Sequence, residues 1–316
     1  MSEAPRVSIV MPTFNGMRTL PRVFEAVRAQ EAVRPVEIVA VDSGSTDGTT
    51  DFLEQRGAAV VRVAHDAFNH GTTRNLGVRS SRGDLVVLLV QDAIPSGSEW
   101  LAQLIEPFGR DAATAGTFAR QQPHADASAL TRWALSHWRA ATDTPRVVGP
   151  LTTAEWRTLT PAERHDVCVF DNVCSCIRRS AWNRHPFAHV ALAEDLEWAR
   201  DVLLDGWRLA FVPSACVRHS HERSAAYELR RTKALHQRLF ELFELSTIPT
   251  AGVLARSIVM TMATHGRVAR SDGTAAVIRG LSLGIAWPLG QYLGARGARR
   301  SAIRMIPEAI GSGEGS

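Results

Sequence analysis

The 316-residue chain has only four cysteines, and their spacing matches neither a zinc site nor a disulfide framework. Cys174 follows Cys168 after six residues, Cys176 follows after two more, and Cys216 stands alone. Structural zinc sites use two closely spaced pairs of ligands, which this arrangement lacks. Cys174 and Cys176 share one face of a predicted strand, so we interpret them as buried thiols. Unpaired thiols of this kind indicate a reducing compartment.

Long apolar runs are missing as well. No uncharged apolar stretch reaches the roughly 18 residues of a membrane-spanning helix, so none is predicted. The segment Met1–Arg6 runs into a predicted strand without the basic start and apolar core of a signal peptide. Lysine is nearly absent, since Lys233 is the only one, and the net charge is a modest +4. The arginines are not interleaved with aromatic residues, so no nucleic-acid partner is predicted.

The first half of the chain alternates predicted strands and helices. Such alternation predicts an α/β fold with a mostly parallel sheet and helices on both faces. The predicted strands are Val7–Met11, Val36–Val41, Ala59–Val63 and Asp84–Val90, and the predicted helices are Arg18–Gln30, Thr46–Arg56, Thr72–Ser80 and Glu99–Phe108.

The second half is less regular. Residues 114–160 are interpreted as helix and loop, and the tail Gly311–Ser316 is predicted to be disordered. We expect an α/β domain over residues 1–224 and a helical extension over residues 225–316. The other predicted elements are strands at Cys168–Arg178, Arg208–Val212 and Ala215–Arg218, helices at Ala193–Gly206 and Glu228–Leu245, and apolar segments at Thr250–His265 and Ala275–Ala295.

Two predicted strands end in an acidic residue. The apolar run Leu85–Val90 leads to Gln91 and Asp92, and the strand from Val36 ends at Asp42 before a turn rich in glycine and serine. Open α/β sheets bind ligands at the carboxyl ends of their strands. Two carboxylates at that edge would suit a nucleotide diphosphate and its metal ion.

Six motifs then follow one another along the chain, at Val7–Asn15, Glu37–Thr49, Phe68–Gly77, Val90–Pro95, Ala193–Trp198 and Val217–His221. Together they resemble the signature of glycosyltransferase family 2, and the resemblance covers about residues 6–224. The Phe-Asn-His-Gly, Gln-Asp-Ala and His-Ser-His elements are similar to the rhamnosyltransferase branch. The resemblance implies the Rossmann-like GT-A fold.

The resemblance also implies a nucleotide-sugar site. Asp42 is expected to contact the base or ribose, with capping of the following helix as the alternative. Ser43 stands where the family commonly has a second acid, which favours a deoxythymidine nucleotide. Arg74 would hold the diphosphate, with a surface position as the alternative, and Asp171 would shape the sugar and acceptor pocket or serve the structure. The complete set of expected donor-binding residues is Pro12, Thr13, Phe14, Asn15, Asp42, Ser43, Arg74, Asn75, Gln91, Asp92 and Asp171.

Asp92 corresponds to the acidic cluster with which the family binds a divalent metal. Gln91 and Ala93 flank it, so one carboxylate remains. His219 and His221 lie two residues apart on a predicted strand and are the other candidate ligands, of which one is expected to bind the metal or the diphosphate, with His221 preferred over His219. The expected ion is Mg²⁺ or Mn²⁺. The alternatives are an ordinary strand-end aspartate and histidines bonded inside the core.

The resemblance assigns the catalytic base to Asp195, with Glu194 as the second candidate. A sugar hydroxyl that attacks an anomeric carbon needs such a proton acceptor. The alternative is a pair of acids that caps a helix start.

The expected function is an inverting transfer of L-rhamnose from dTDP-rhamnose to a hydroxyl of a glycan or polyprenyl-linked acceptor in cell-envelope polysaccharide biosynthesis. A UDP- or GDP-sugar donor and an inactive sugar-nucleotide-binding scaffold are the alternatives. A dinucleotide oxidoreductase is disfavoured, because the turn at Pro12–Gly16 lacks the Gly-x-Gly-x-x-Gly pattern.

The apolar segments of the extension are flanked by Arg256, Arg267, Arg279 and Arg296. This pattern suits peripheral contact with an anionic membrane at the cytoplasmic face. A packed helical subdomain and a homodimer interface are the alternatives, since amphipathic helices occur in all three settings.

Overall fold

The computed structural model describes residues 6–30 and 36–310, with side chains as far as Ser301. The predicted disordered tail lies outside these residues. In the described chain, nine strands form one sheet in the order β3-β2-β1-β4-β8-β6-β9-β5, and β7 also pairs with β9. The strands are β1 Val7–Thr13, β2 Val36–Asp42, β3 Ala59–Arg62, β4 Leu85–Leu89, β5 Ile94–Ser96, β6 Thr114–Gln122, β7 Arg146–Val148, β8 Cys174–Arg178 and β9 Arg208–Arg218.

The described chain also contains helices between and after these strands. They are α1 Leu20–Arg28, α2 Thr49–Glu54, α3 His70–Ser80, α4 Trp100–Arg110, α5 Ala129–Ser136, α6 Thr153–Thr158, α7 Pro161–Val167, α8 Arg179–Arg184, α9 Glu194–Leu204, α10 Ala225–Phe243, α11 Ala251–Val268 and α12 Thr274–Ile310. Single 3₁₀ turns lie at His65–Ala67, Arg139–Ala141 and Ala269–Asp272. The predicted α/β alternation of the first half is confirmed.

The sheet is parallel in its first half and mixed in its second. Strands β1 to β4 pair in parallel, as do β6 and β9. Strand β8 runs antiparallel between β4 and β6, and β5 and β7 run antiparallel to β9. As a result β1, β2, β4, β6 and β9 all point the same way, and their carboxyl ends lie along one edge.

The core explains why the first strands were predictable. All five residues of β4 are buried, and Ile9 and Met11 of β1 are completely so. They pack with Phe24, Trp100 and other apolar side chains of the neighbouring helices. A strand buried on both faces reads as a continuous apolar run, which is a strong local signal.

Four predicted elements needed correction. Residues 114–122 are strand β6, so the prediction of helix and loop there was wrong; the strand ends in Arg120, Gln121 and Gln122, which conceal its pattern. Residues 168–173 precede β8 rather than belonging to it. Helix α2 begins at Thr49 and not at Thr46, because Asp47 accepts hydrogen bonds from the backbone and hydroxyl of Thr49. The two short strands predicted at residues 208–218 are one strand, β9, with a register shift.

The four cysteines are unpaired, and Cys168, Cys174 and Cys176 are buried. Burial raises the pKa of the Cys174 thiol well above its ordinary value. The interpretation of these residues as buried thiols is confirmed.

The described chain divides into two compact units. The first contains residues up to Ala125, Leu135–Thr158 and Val167–Ser220; the second contains Asp126–Ala134, Leu159–Asp166 and the chain from His221 onward. Helix α12 packs against α10 and α11 within the second unit. At Gly284 an added Cβ would lie 2.7 Å from the backbone of Met262, so only glycine permits this close approach.

No helix among the described residues has both the length and the apolar character needed to cross a bilayer.

Candidate active site

The turn after β2 is organised around the Asp42 carboxylate. One oxygen accepts from the backbone N–H groups of Gly44 (3.0 Å) and Ser45 (2.9 Å), and the other accepts from the hydroxyls of Thr13 and Ser45. The residue is buried, with 2% of its surface exposed. These hydrogen bonds fall on the turn itself rather than on the first residues of α2, so Asp42 holds the end of β2 against the end of β1.

The end of β1 presents an aromatic surface beside this turn. Phe14 is 41% exposed, and its ring stacks on His65 with centroids 4.6 Å apart. Asn15 has a positive φ of 46°, and its side-chain oxygen accepts from the backbone of Thr46. The buried hydroxyl of Ser43 donates to the backbone oxygen of Thr13. An exposed ring next to polar backbone groups is suited to stacking a nucleobase.

Gln91 joins the end of β4 to the end of β1. Its Oε1 accepts from the Phe14 N–H, and its Nε2 donates to the Phe14 carbonyl, both at 2.9 Å. Both ends of the amide are thus engaged with the backbone.

A metal-ligating cluster forms at the same edge of the sheet. One ligand atom each from Asp92, His219 and His221 can be chosen so that all three lie within 4.8 Å of one another. The cause is the antiparallel pairing of Ile94 with Arg218, which places the residues before β5 beside those after β9. The histidines lie beyond the end of β9, so the prediction that they share a strand was wrong, although the expected grouping with Asp92 is found.

This set of donor atoms fits a divalent cation. A carboxylate suits Mg²⁺ and Mn²⁺, whereas imidazole nitrogens favour transition metals, so the combination fits Mn²⁺ better than Mg²⁺. Three protein ligands would leave room around such an ion for phosphate oxygens and water. His219 and Asp92 are partly buried, and His221 is exposed.

A hydrogen-bonded chain continues from this cluster to Asp171, an expected site residue, through Gln121, which the sequence did not single out. The Gln121 amide lies 3.0 Å from Nδ1 of His219 and 2.5 Å from Oδ2 of Asp171. Trp138 donates to the same Asp171 oxygen, and the Val173 N–H donates to the other. The sequence signal that could have indicated this chain is the pair of glutamines, Gln121 and Gln122, at the end of β6.

The two acids that begin α9 have different surroundings. Glu194 is buried and forms an ion pair with Arg74 at 2.6 Å, so its charge is compensated. Burial raises the pKa of Asp195 well above its ordinary value; the neighbouring carboxylates of Glu194 and Asp171 act in the same direction, and Arg74 opposes them. Raised carboxyl pKa values are typical of groups that accept protons in catalysis.

Helix α3 is locked to the segment that leads to Asp195. Asn69 caps α3 by accepting from the Gly71 and Thr72 N–H groups, and its own amide donates to the Val190 carbonyl. The Asn75 amide accepts from Trp182 and from the Phe187 backbone and donates to the Phe187 carbonyl. Arg74 and Asn75 are therefore buried and bonded to other protein groups. Their contact with the sugar-nucleotide donor stays a prediction.

Comparison with known proteins adds independent information. A family model described as glycosyl transferase family 2 matches residues 8–185. The chain is 28% identical over 231 residues to the O-antigen chain rhamnosyltransferase RfbN of Salmonella typhimurium, an alignment that covers 72% of this chain and 70% of that protein.

Two solved structures have a similar fold. The mannosyltransferase PcManGT from Pyrobaculum calidifontis, in complex with GDP-Man and Mn²⁺, has a TM-score of 0.55 at 18% identity and covers 98% of this chain and 81% of its own. The glucosyl-3-phosphoglycerate synthase of Mycobacterium tuberculosis, solved with Mn²⁺ and UDP, has a TM-score of 0.54 at 18% identity and covers 78% and 82%.

Proposed function

The chain belongs to glycosyl transferase family 2 and has the GT-A fold that its motifs predicted, and from this premise we propose that it is an inverting rhamnosyltransferase. The donor is dTDP-rhamnose, and the acceptor is a hydroxyl of a glycan or a polyprenyl-linked sugar in cell-envelope polysaccharide synthesis. The observation that carries the proposal is the similarity to an O-antigen chain rhamnosyltransferase over 72% of the chain.

The site divides into a donor half and an acceptor half. On the donor side, the turn around Asp42 and the ring of Phe14 would bind the nucleoside, while Gln91 keeps these two strand ends together. Asp92, His219 and His221 would hold a Mn²⁺ or Mg²⁺ ion. Such an ion, when bound, neutralises the charge that develops on the leaving diphosphate.

On the acceptor side, Asp195 is the proposed general base. A general base must be ionised while the acceptor hydroxyl still carries its proton, and a carboxyl pKa above the ordinary value of an aspartate makes the carboxylate a stronger proton acceptor. Glu194 is less suited, because its charge is already engaged with Arg74 at 2.6 Å. In a single displacement Asp195 takes the hydroxyl proton as the oxygen attacks the anomeric carbon, and the bond to the diphosphate breaks on the opposite face.

The donor nucleotide can be identified by calorimetry. We expect dTDP to bind at least about tenfold more tightly than UDP or GDP, because pockets discriminate single methyl-sized groups by about 10-fold or more. Titration with dUDP then separates the two differences between dTDP and UDP, since dUDP lacks only the thymine methyl group. Equal or tighter binding of UDP would reject the dTDP assignment and favour a UDP-sugar donor.

The helical extension is proposed to bind the cytoplasmic face of an anionic membrane. On α11, Val259 is 69% exposed and Met260 is 57% exposed; on α12, Ile278 is 61% exposed. Residues 251–301 contain one acidic residue, Asp272, and seven arginines: Arg256, Arg267, Arg270, Arg279, Arg296, Arg299 and Arg300. Exposed apolar side chains among arginines suit a headgroup region with negative charge.

Val259→Asp should weaken binding to anionic liposomes by about tenfold, because burial of a valine side chain contributes about 1.5 kcal/mol or more. Co-sedimentation measures the effect. Val147→Asp is the matched control, since Val147 is 66% exposed in the first unit. Equal losses in both variants would contradict specific docking by α11. A change of oligomeric state confined to Val259→Asp, without a change in liposome binding, would identify the face as a homodimer interface.

A further inference from the structure

Gln121 lies at the end of β6, where no motif of the sequence pointed. We propose that Gln121 is a positioning residue that fixes the orientation and tautomer of His219, so that its Nε2 presents a lone pair to the metal site. The inference rests on the proposed metal role of Asp92, His219 and His221, and it adds a residue that acts through one of these ligands.

Both ends of the Gln121 side-chain amide form hydrogen bonds, one with Asp171 and the other with His219. Gln121 is 5% exposed and lies on β6, whose register pairs it with Val217, two residues before His219. The strand contact continues beyond β9, because the His219 N–H donates to the Gln122 carbonyl at 2.8 Å. The backbone of His219 is therefore held beside β6, and its ring lies within hydrogen-bond distance of the Gln121 side chain.

Asp171 determines which way round the amide sits. An ionised carboxylate can only accept hydrogen bonds, so the atom 2.5 Å from Asp171 must be the amide nitrogen of Gln121. Asp171 cannot rotate away, because Trp138 donates to the same oxygen at 3.2 Å and the Val173 N–H donates to the other oxygen at 2.9 Å. The oxygen of Gln121 consequently faces His219.

This orientation determines the tautomer of His219. The Gln121 oxygen can only accept, so Nδ1 of His219, at 3.0 Å, must carry the proton. In a neutral imidazole the other nitrogen then carries the lone pair. That nitrogen, Nε2, lies 3.7 Å from Oδ1 of Asp92, on the side of the metal cluster. The opposite tautomer would place an N–H there and oppose cation binding.

Outer hydrogen bonds to ligating histidines commonly change metal affinity by 10–100-fold. Gln121→Leu removes both hydrogen bonds at nearly constant volume. We expect its Mn²⁺ affinity, measured by electron paramagnetic resonance titration in the presence of dTDP, to fall by about 10–100-fold. Gln122→Leu is the matched control, because adjacent residues of a strand face opposite sides of the sheet. Its affinity for Mn²⁺ should stay within about twofold of wild type.

A second measurement tests the tautomer directly in the wild-type protein, without altering Gln121. Nitrogen-15 spectra of the metal-free wild-type protein, with the His219 signals assigned through His219→Gln, should show the proton on Nδ1. A proton on Nε2 would overturn the inference. So would unchanged Mn²⁺ affinity in a folded Gln121→Leu variant. If the wild type itself binds dTDP but no Mn²⁺, the proposed metal role fails instead, and the nitrogen spectra still decide the tautomer.

Discussion

Replacing Asp195 by asparagine should lower kcat by about 10²–10⁴-fold, which is the usual contribution of a general base. Asparagine keeps the shape of the side chain and can still accept from the Leu196 N–H, which donates to Asp195 at 2.8 Å. It cannot take a proton from the acceptor. The dissociation constant of dTDP should therefore change little, because nucleotide binding does not depend on proton transfer. The melting temperature should not fall, because a carboxyl whose pKa is raised in the folded protein destabilises that state when it is ionised.

The pH dependence gives the same assignment a second readout. Asp195 must be ionised to act as a base, and its pKa is raised by burial and by the carboxylate of Glu194. Activity should accordingly rise with pH as this carboxyl loses its proton, with a midpoint above the ordinary pKa of an aspartate. The ascending limb of kcat against pH should be absent from the residual activity of Asp195→Asn.

Glu197→Gln is the matched control for charge in the first turn of α9. Glu197 is another acid of this turn, and it lies 3.6 Å from Arg200. Its replacement should leave kcat within about twofold of wild type.

If Asp195→Asn kept more than about a tenth of wild-type kcat, the loss would be below the range of a general base, and Glu194 would become the candidate. The kcat of Glu194→Gln must be compared together with the melting temperature of that variant, since the substitution removes the charged partner of the buried Arg74 and can destabilise the fold.

Asp92→Asn should lower kcat/KM by on the order of a hundredfold or more, because a bound cation supplies several kcal/mol of charge stabilisation to the leaving group. Asp92 is the only carboxylate in the cluster with His219 and His221, so its loss removes the one anionic protein ligand. Treatment of the wild type with EDTA should reproduce the defect, and added Mn²⁺ should reverse it in the wild type but not in the variant.

Asp84→Asn is the matched control for Asp92→Asn. Asp84 precedes the same strand at its opposite end, where it is exposed and lies 3.6 Å from Arg6. This variant should retain wild-type kcat/KM and its dependence on Mn²⁺. Full wild-type activity in EDTA would reject the metal role, while the similarity to family 2 would be unaffected.

Local patterns predicted the parts of the fold whose residues are uniformly apolar. Strands β1, β2 and β4 and helices α1 and α4 bury continuous or periodic apolar residues, and all were found. Strand β6 was missed because its last residues, Arg120, Gln121 and Gln122, are polar, which removes the apolar signal of a central strand. The same cause hid Gln121, since a side chain on an unrecognised strand cannot be assigned to an edge of the sheet.

The site was predictable to the extent that its residues lie at strand ends or in motifs. Asp42 and Asp92 lie at the expected edge, and both late histidines join Asp92. The pairing of Ile94 with Arg218, which brings them together, spans more than a hundred residues and leaves no local trace. The ion pair between Arg74 and Glu194 is equally remote in sequence, so the engagement of Arg74 by protein rather than solvent could not be anticipated.

The position of β9 has a consequence for the order in which the enzyme is assembled. It is the last strand along the described chain, yet it forms hydrogen bonds with β5, β6 and β7. The hydrogen-bond partners of Asp42 all lie within residues 13–45, so the turn around it can form before the rest of the chain has been synthesised. His219 and His221, which follow β9, are synthesised much later, and until then β5 and β7 are without their shared neighbour. The turn around Asp42 can therefore form before Asp92, His219 and His221 come together, and strand edges stay unpaired in between.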